Sequence, residues 1–121
     1  MSVSVIVTGN FQRAAKRLIK KYRSLKGELQ GLIEELESNP RTGVKIGDHT
    51  YKIRLAVKSK GKGKSGGVRI ISYVDVEISL KEDEATVVYL LSIYDKSDRE
   101  DIPDKLLKEL VNDLEKSLEE E

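Results

Sequence analysis

Five consecutive apolar residues, Val87-Val88-Tyr89-Leu90-Leu91, constrain this chain more than any other stretch. A strand with one wet face alternates apolar and polar residues. A strand that is apolar on both parities has to be covered on both sides. The run therefore predicts a central strand within Ala85 to Tyr94, and the rest of the chain must supply a layer for each of its faces. With 121 residues the chain can build one modest core of two packed layers, so a single domain spanning 1–121 is expected.

The neighbours of that strand can be read by their periods. Tyr51 to Lys58 alternates, with Tyr51, Ile53, Leu55 and Val57 on one side and Lys52, Arg54, Ala56 and Lys58 on the other. Val68 to Leu80 predicts another strand, reached through the lysine- and glycine-rich loop Ser59 to Gly66 and left through the charged turn Lys81-Glu82-Asp83-Glu84. Ser2 to Thr8 is short and β-branched and predicts an edge or second strand. Helical spacing appears three times. Phe11, Ala14, Ala15, Leu18, Ile19 and Tyr22 follow the expected cap Asn10. Leu29, Leu32, Ile33 and Leu36 stripe a helix from Leu25 to Glu37, opened by Ser24 and stopped by Asn39-Pro40. Leu106, Leu107, Leu110, Val111, Leu114 and Leu118 follow Pro103. The order β-α-α-β-β-β-α gives an α+β fold, an N-terminal helical hairpin packed on an antiparallel sheet.

Charge is divided along the chain. Residues 1–72 hold 16 Lys/Arg against 5 Asp/Glu, and residues 73–121 hold 6 against 16. A polyanion-binding half and an acidic half that covers or repels it are implied. Pairing Lys58 with Gly67 puts Arg69 opposite Ala56 and diagonal to Arg54. Pairing Leu80 with Ala85 puts Tyr94 opposite Ile71 and Lys96 opposite Arg69. Both registers collect Lys52, Arg54, Arg69, Tyr94 and Lys96 on one face. The other face carries Tyr51, Ile53, Leu55, Val57, Val68, Ile70, Val74, Leu91 and Ile93 as core. The cationic face also shows Ile71, Tyr73, Val88 and Leu90, which the C-terminal helix or a partner protein has to cover.

The absences narrow the chemistry. There is no cysteine, which removes disulfides and cysteine-ligated metal sites. The one histidine, His49, stands in an expected turn beside Gly47-Asp48. No carboxylate pair falls on the cationic face, against glycosidase-type chemistry. Gly61-Lys62-Gly63-Lys64-Ser65 is followed by a strand, not the helix a phosphate-binding loop needs. No apolar run approaches the ~20 residues of a membrane span, and Val3 to Val7 is too short for a signal-peptide core. A soluble, cytoplasmic protein without a membrane partner is expected. Lys, Arg and Tyr remain, and they suit phosphate-ester chemistry. Attack by an RNA 2′-hydroxyl needs a proton acceptor, stabilised phosphoryl oxygens and a proton donor for the leaving oxygen. A lysine among cations gives up its proton more readily, arginines clamp phosphate, and tyrosine stacks a base or assists proton transfer. A basic sheet that merely binds phosphate is the alternative. Lys58, Lys60, Lys62 and Lys64 would contact RNA around the loop.

Three segments together resemble the RelE-type toxins of the RelE/ParE superfamily. They are Tyr51-Lys52-Ile53-Arg54-Leu55, then Gly66-Gly67-Val68-Arg69-Ile70-Ile71-Ser72-Tyr73, then Val88-Tyr89-Leu90-Leu91-Ser92-Ile93-Tyr94-Asp95-Lys96-Ser97. Phe11, Lys16-Arg17-Leu18 and Asn39-Pro40 fit as well, so the resemblance covers nearly the whole chain. It implies a compact antiparallel sheet with packed helices, ribosome-dependent cleavage of messenger RNA without a metal or other cofactor, and an antitoxin that wraps the toxin. By position, Lys52 and Arg54 match the family's basic pair, Arg69 the arginine on the scissile phosphate, and Lys96 a basic residue after the last strand. Arg54 replaces a lysine of the best-known members. Ile102 lies about where they carry a tyrosine, and Tyr94 is the expected substitute in that role. A gyrase-poisoning ParE-like toxin and a non-catalytic RNA- or ribosome-binding domain are the competing expectations.

Overall fold

The computed structural model describes residues 2–61, 66–78 and 84–119, apart from the side chain of residue 78. Its elements are β1 (Ser2–Val7), α1 (Gly9–Lys21), α2 (Leu25–Ser38), β2 (Val44–Gly47), β3 (Thr50–Leu55), β4 (Val68–Ile78), β5 (Glu84–Asp95) and α3 (Asp104–Glu119), with a 3-10 turn at Lys58–Lys60. The five-stranded sheet runs β1-β5-β4-β3-β2. The expected α+β architecture is present, with two differences. β2 is an additional short edge strand, and β1 lies parallel to β5 while every other pair is antiparallel.

Local chemistry accounts for the helix boundaries. Thr8, not Asn10, caps α1, its hydroxyl accepting the Phe11 N–H at 3.3 Å and donating to the Leu90 carbonyl at 2.8 Å. Asn10 lies inside the first turn, and its amide donates to the Leu91 carbonyl at 2.9 Å. Lys20 and Lys21 in the last turn of α1 complement the helix dipole. The Ser24 hydroxyl donates to the Glu28 carboxylate at 2.9 Å at the start of α2. Asp104 begins α3 directly after Pro103.

The sheet is covered on both faces, as the apolar run in β5 requires. On one side α1 and α2 bury Phe11, Ala15, Leu25, Leu29, Leu32 and Leu36 against Ile53, Val68, Ile70, Val74, Val88, Leu90 and Ile93. On the other, α3 and the loop before it pack Leu114 and Ile102 on Ile71, Val87, Tyr89, Leu91 and Tyr94.

The registers differ from those expected. β3 and β4 pair Leu55 with Val68, so Arg69 faces Arg54 directly. β4 and β5 pair Arg69 with Tyr94, where Lys96 was expected. Both are slips of two residues, which preserve the faces. Between Ile71↔Ser92 and Ser72↔Leu90 the register shifts, with Leu91 as the extra residue of a β-bulge. Beyond the bulge the faces exchange. Val88 and Leu90, expected beside the cations, enter the hairpin core, and Leu91, expected in that core, turns to α3. The turn expected at 81–84 falls outside the described residues except for Glu84, which opens β5.

Candidate functional site

One row of side chains crosses three strands: Arg54 on β3, Arg69 on β4 and Tyr94 on β5. Lys52 is two residues from Arg54 on the same strand and therefore on the same face. Two glycines fix the backbone at this end of the sheet. Gly43 adopts φ +102, and a Cβ on it would strike the Lys52 carbonyl. A Cβ on Gly67 would strike the Leu55 carbonyl, so only glycine lets β4 start this close to the end of β3.

The four side chains have different environments. Arg54 is exposed. Arg69 is buried, with Nη1 donating to the Val68 carbonyl at 3.3 Å. Tyr94 is 8% exposed, and its buried hydroxyl has no hydrogen-bond partner among the described residues. Burial pushes the Tyr94 hydroxyl above its usual range, as does the Asp101 charge, while Arg69 and Arg99 oppose them. The Lys52 ammonium donates to Asp101 Oδ1 at 2.8 Å. That hydrogen bond, the Lys52 charge, the Ile102 amide and the Arg54 charge together hold the Asp101 carboxyl below the usual carboxylate range, against a smaller effect of desolvation.

Asp101, ion-paired to Lys52 at the candidate site, is the neighbour that sequence reasoning missed. It lies in the loop between β5 and α3, where no period reports the direction of a side chain. Its neighbour Ile102 is 8% exposed and packed with Tyr94's cluster, which anchors the loop over the cationic face.

Other expected site residues are placed elsewhere. Lys96 pairs along the ladder with Gly67, beyond Tyr94, and its ammonium is 3.9 Å from Glu100. Lys58 is exposed in the 3-10 turn, where its amide donates to Glu28 at 2.8 Å. Lys60, expected to meet RNA, has a side chain only 5% exposed. Its ammonium donates to the Asp95 carboxylate, to Ser97 Oγ at 3.1 Å and to the Gly67 carbonyl at 3.3 Å. Asp95 is fully buried and also receives the Tyr22 hydroxyl and, at 2.9 Å, the Ser97 amide. Burial alone would raise its pKa. The hydrogen bonds from Lys60, Tyr22 and Ser97, with the Lys60 charge, outweigh burial and hold it well below the carboxylate range. This cluster pins the end of β5 and so keeps Tyr94 opposite Arg69. Lys62 and Lys64 lie outside the described residues.

Chemically, the row sets one exposed guanidinium, one buried guanidinium and a carboxylate-paired lysine beside a buried phenol. Among the described residues no group of three His, Cys, Asp or Glu is placed to hold a metal, and no helix is long and apolar enough to cross a membrane. No family model matches the chain. Among solved structures it is similar to the E. coli toxin RelE, determined as a mutant in the free state, at 18% identity and a TM-score of 0.48 over 83% of this chain and 90% of that one.

Proposed function

We propose that this chain is the toxin of a toxin–antitoxin pair and cleaves messenger RNA at the ribosome. The observation that carries the reading is the cross-strand row Arg54–Arg69–Tyr94 with Lys52 beside it. In this reading the 2′-hydroxyl attacks the adjacent phosphorus, the new O–P bond forms, and the bond to the 5′-oxygen breaks. Arg54 and Arg69 neutralise the charge that builds on the phosphoryl oxygens. The Lys52 ammonium adds a third positive charge beside the phosphate, the 2′-hydroxyl proton passes to water, and Tyr94 gives a proton to the leaving 5′-oxygen. The Asp101 carboxylate is seated where a phosphate oxygen would meet Lys52, so substrate has to displace it. Lys96 and Lys58 remain at the rim as RNA contacts, and Lys60 acts through Asp95 as a positioning residue. An antitoxin covering the cationic face would silence the toxin.

The test is inducible expression in bacteria with mapping of messenger RNA 5′ ends. New 5′ ends that appear on induction, and that vanish with Arg69→Ala, are expected. Arg54→Ala, at an exposed position whose truncation leaves the fold intact, is expected to reduce them as well. Intact transcripts during growth arrest would overturn cleavage. The burial of Arg69 and Tyr94 favours a second reading, an RNA-binding domain that does not cut. It is distinguished by RNA affinity without new 5′ ends.

A further inference from the structure

β5 is longer than its outer neighbour. β1 pairs with Ala85 to Leu90 and leaves the sheet at Thr8, whose amide donates to the Leu90 carbonyl at 3.2 Å. Asn10 takes the next carbonyl, that of Leu91. From there to Asp95 the outer edge of β5 has no strand beside it among the described residues. The Lys96 amide donates inward to the Gly67 carbonyl. By the alternation of an antiparallel ladder, Tyr94 and Ser92 also face β4, and the N–H and C=O of Ile93 turn outward.

They turn toward a groove of about 450 Å³. Ala14 and Leu18 of α1 line one wall, and Leu106 and Leu110 of α3 line the other. Arg17 and Lys21, one turn apart on α1, and Arg99 of the following loop supply positive charge. The acids are Asp98 and Asp95; Asp95 is already engaged with Lys60 and Tyr22, and the Lys21 ammonium lies 3.9 Å from it.

We propose that this groove is a nucleotide subsite. The base lies between the two apolar walls with its edge hydrogen-bonded to the Ile93 peptide, and the phosphate rests on Arg17, Lys21 and Arg99. Every nucleobase edge offers an acceptor beside a donor, which one outward-facing peptide can meet. Tyr94 lines both this groove and the cationic row, so the nucleotide would belong to the strand being cut, next to the scissile phosphate. That last link rests on the RNA reading above; the subsite itself does not. An acidic peptide adding a strand to the edge is the rival occupant. It would find a short ladder, because the Asp95 carbonyl is already taken by the Asp98 and Arg99 amides.

The test is a titration of isotope-labelled protein with each ribonucleoside 5′-monophosphate, with inorganic phosphate and with a tetraglutamate peptide, read by amide shifts. The nucleotides are expected to move Ile93 and Asp95. Reversing charge with Arg17→Glu and Lys21→Glu, both at exposed positions, should weaken that binding about five-fold or more at unchanged circular dichroism. Leu110→Trp, which fills the groove, should abolish it. The proposal is overturned if nucleotides leave Ile93 unmoved, if phosphate alone reproduces the shifts, or if only the peptide binds. Binding at Ile93 with uncut RNA sinks the cleavage reading and leaves this one standing. Cut RNA without shifts at Ile93 does the reverse.

Discussion

Asp101 and Asp95 are both ion-paired to lysines, and their exposure gives the two pairs different consequences. The Asp101 side chain is 69% exposed, and solvent screens such a pair so that it adds little to stability. Asp101→Asn should therefore leave stability unchanged and strengthen RNA binding about two- to five-fold, measured by fluorescence anisotropy. Weaker binding would show that Asp101 orients Lys52 rather than competing with phosphate. Asp95 is buried with Lys60, and breaking a buried pair strands a charge. Asp95→Asn should cost about 3–5 kcal/mol in denaturant unfolding. The pH sign follows from the lowered pKa of Asp95 in the fold. Its contribution is complete above the unfolded value of about 3.9 and drains away as pH falls below it. Acid should therefore cost the wild type more stability than Asp95→Asn, followed by circular dichroism between about pH 5 and pH 2, which brackets that value. Neither pairing could be read from the sequence. A lysine in a basic loop looks solvated until the fold brings a buried carboxylate under it, and a loop aspartate has no period that aims it.

Among the elements, the strands and helices were legible because their periods are strong. The site face was legible for a more particular reason. At the site end both hairpins differ from expectation by two residues, and a two-residue slip leaves Lys52, Arg54, Arg69 and Tyr94 on one side. The Leu91 bulge was not legible, because a run that is apolar on both parities looks the same in either phase. β2 was hidden by its shortness, with Val44 62% exposed and no apolar stripe to mark it. The role of α3 is core covering. Leu114 is 7% exposed against the sheet, and Leu114→Ala should cost about 2–5 kcal/mol. Deleting residues 103–121 should expose Val87, Tyr89 and Leu91 and raise binding of an apolar dye; an unchanged dye signal would mean that α3 is dispensable cover.

For the whole molecule, the basic first part of the chain supplies Lys52, Arg54 and Arg69, and the acidic remainder lays Asp101 over them. RNA affinity should fall steeply with salt, the log–log slope shrinking by about 0.7 for each of these cations removed. A slope unchanged in Arg54→Ala would place the RNA on another surface. The parallel pairing of β1 with β5 also shapes how the protein comes to exist. The Thr8 side chain binds a carbonyl 82 positions further along the chain, and contacts of such separation close late in folding. During synthesis β1 emerges first and waits, its partner unmade until β5 has cleared the exit tunnel. Tyr94 emerges as part of β5, and the covering Asp101 just behind it. The cationic row is therefore completed, and shielded, only after β5 and the loop that follows it have left the ribosome.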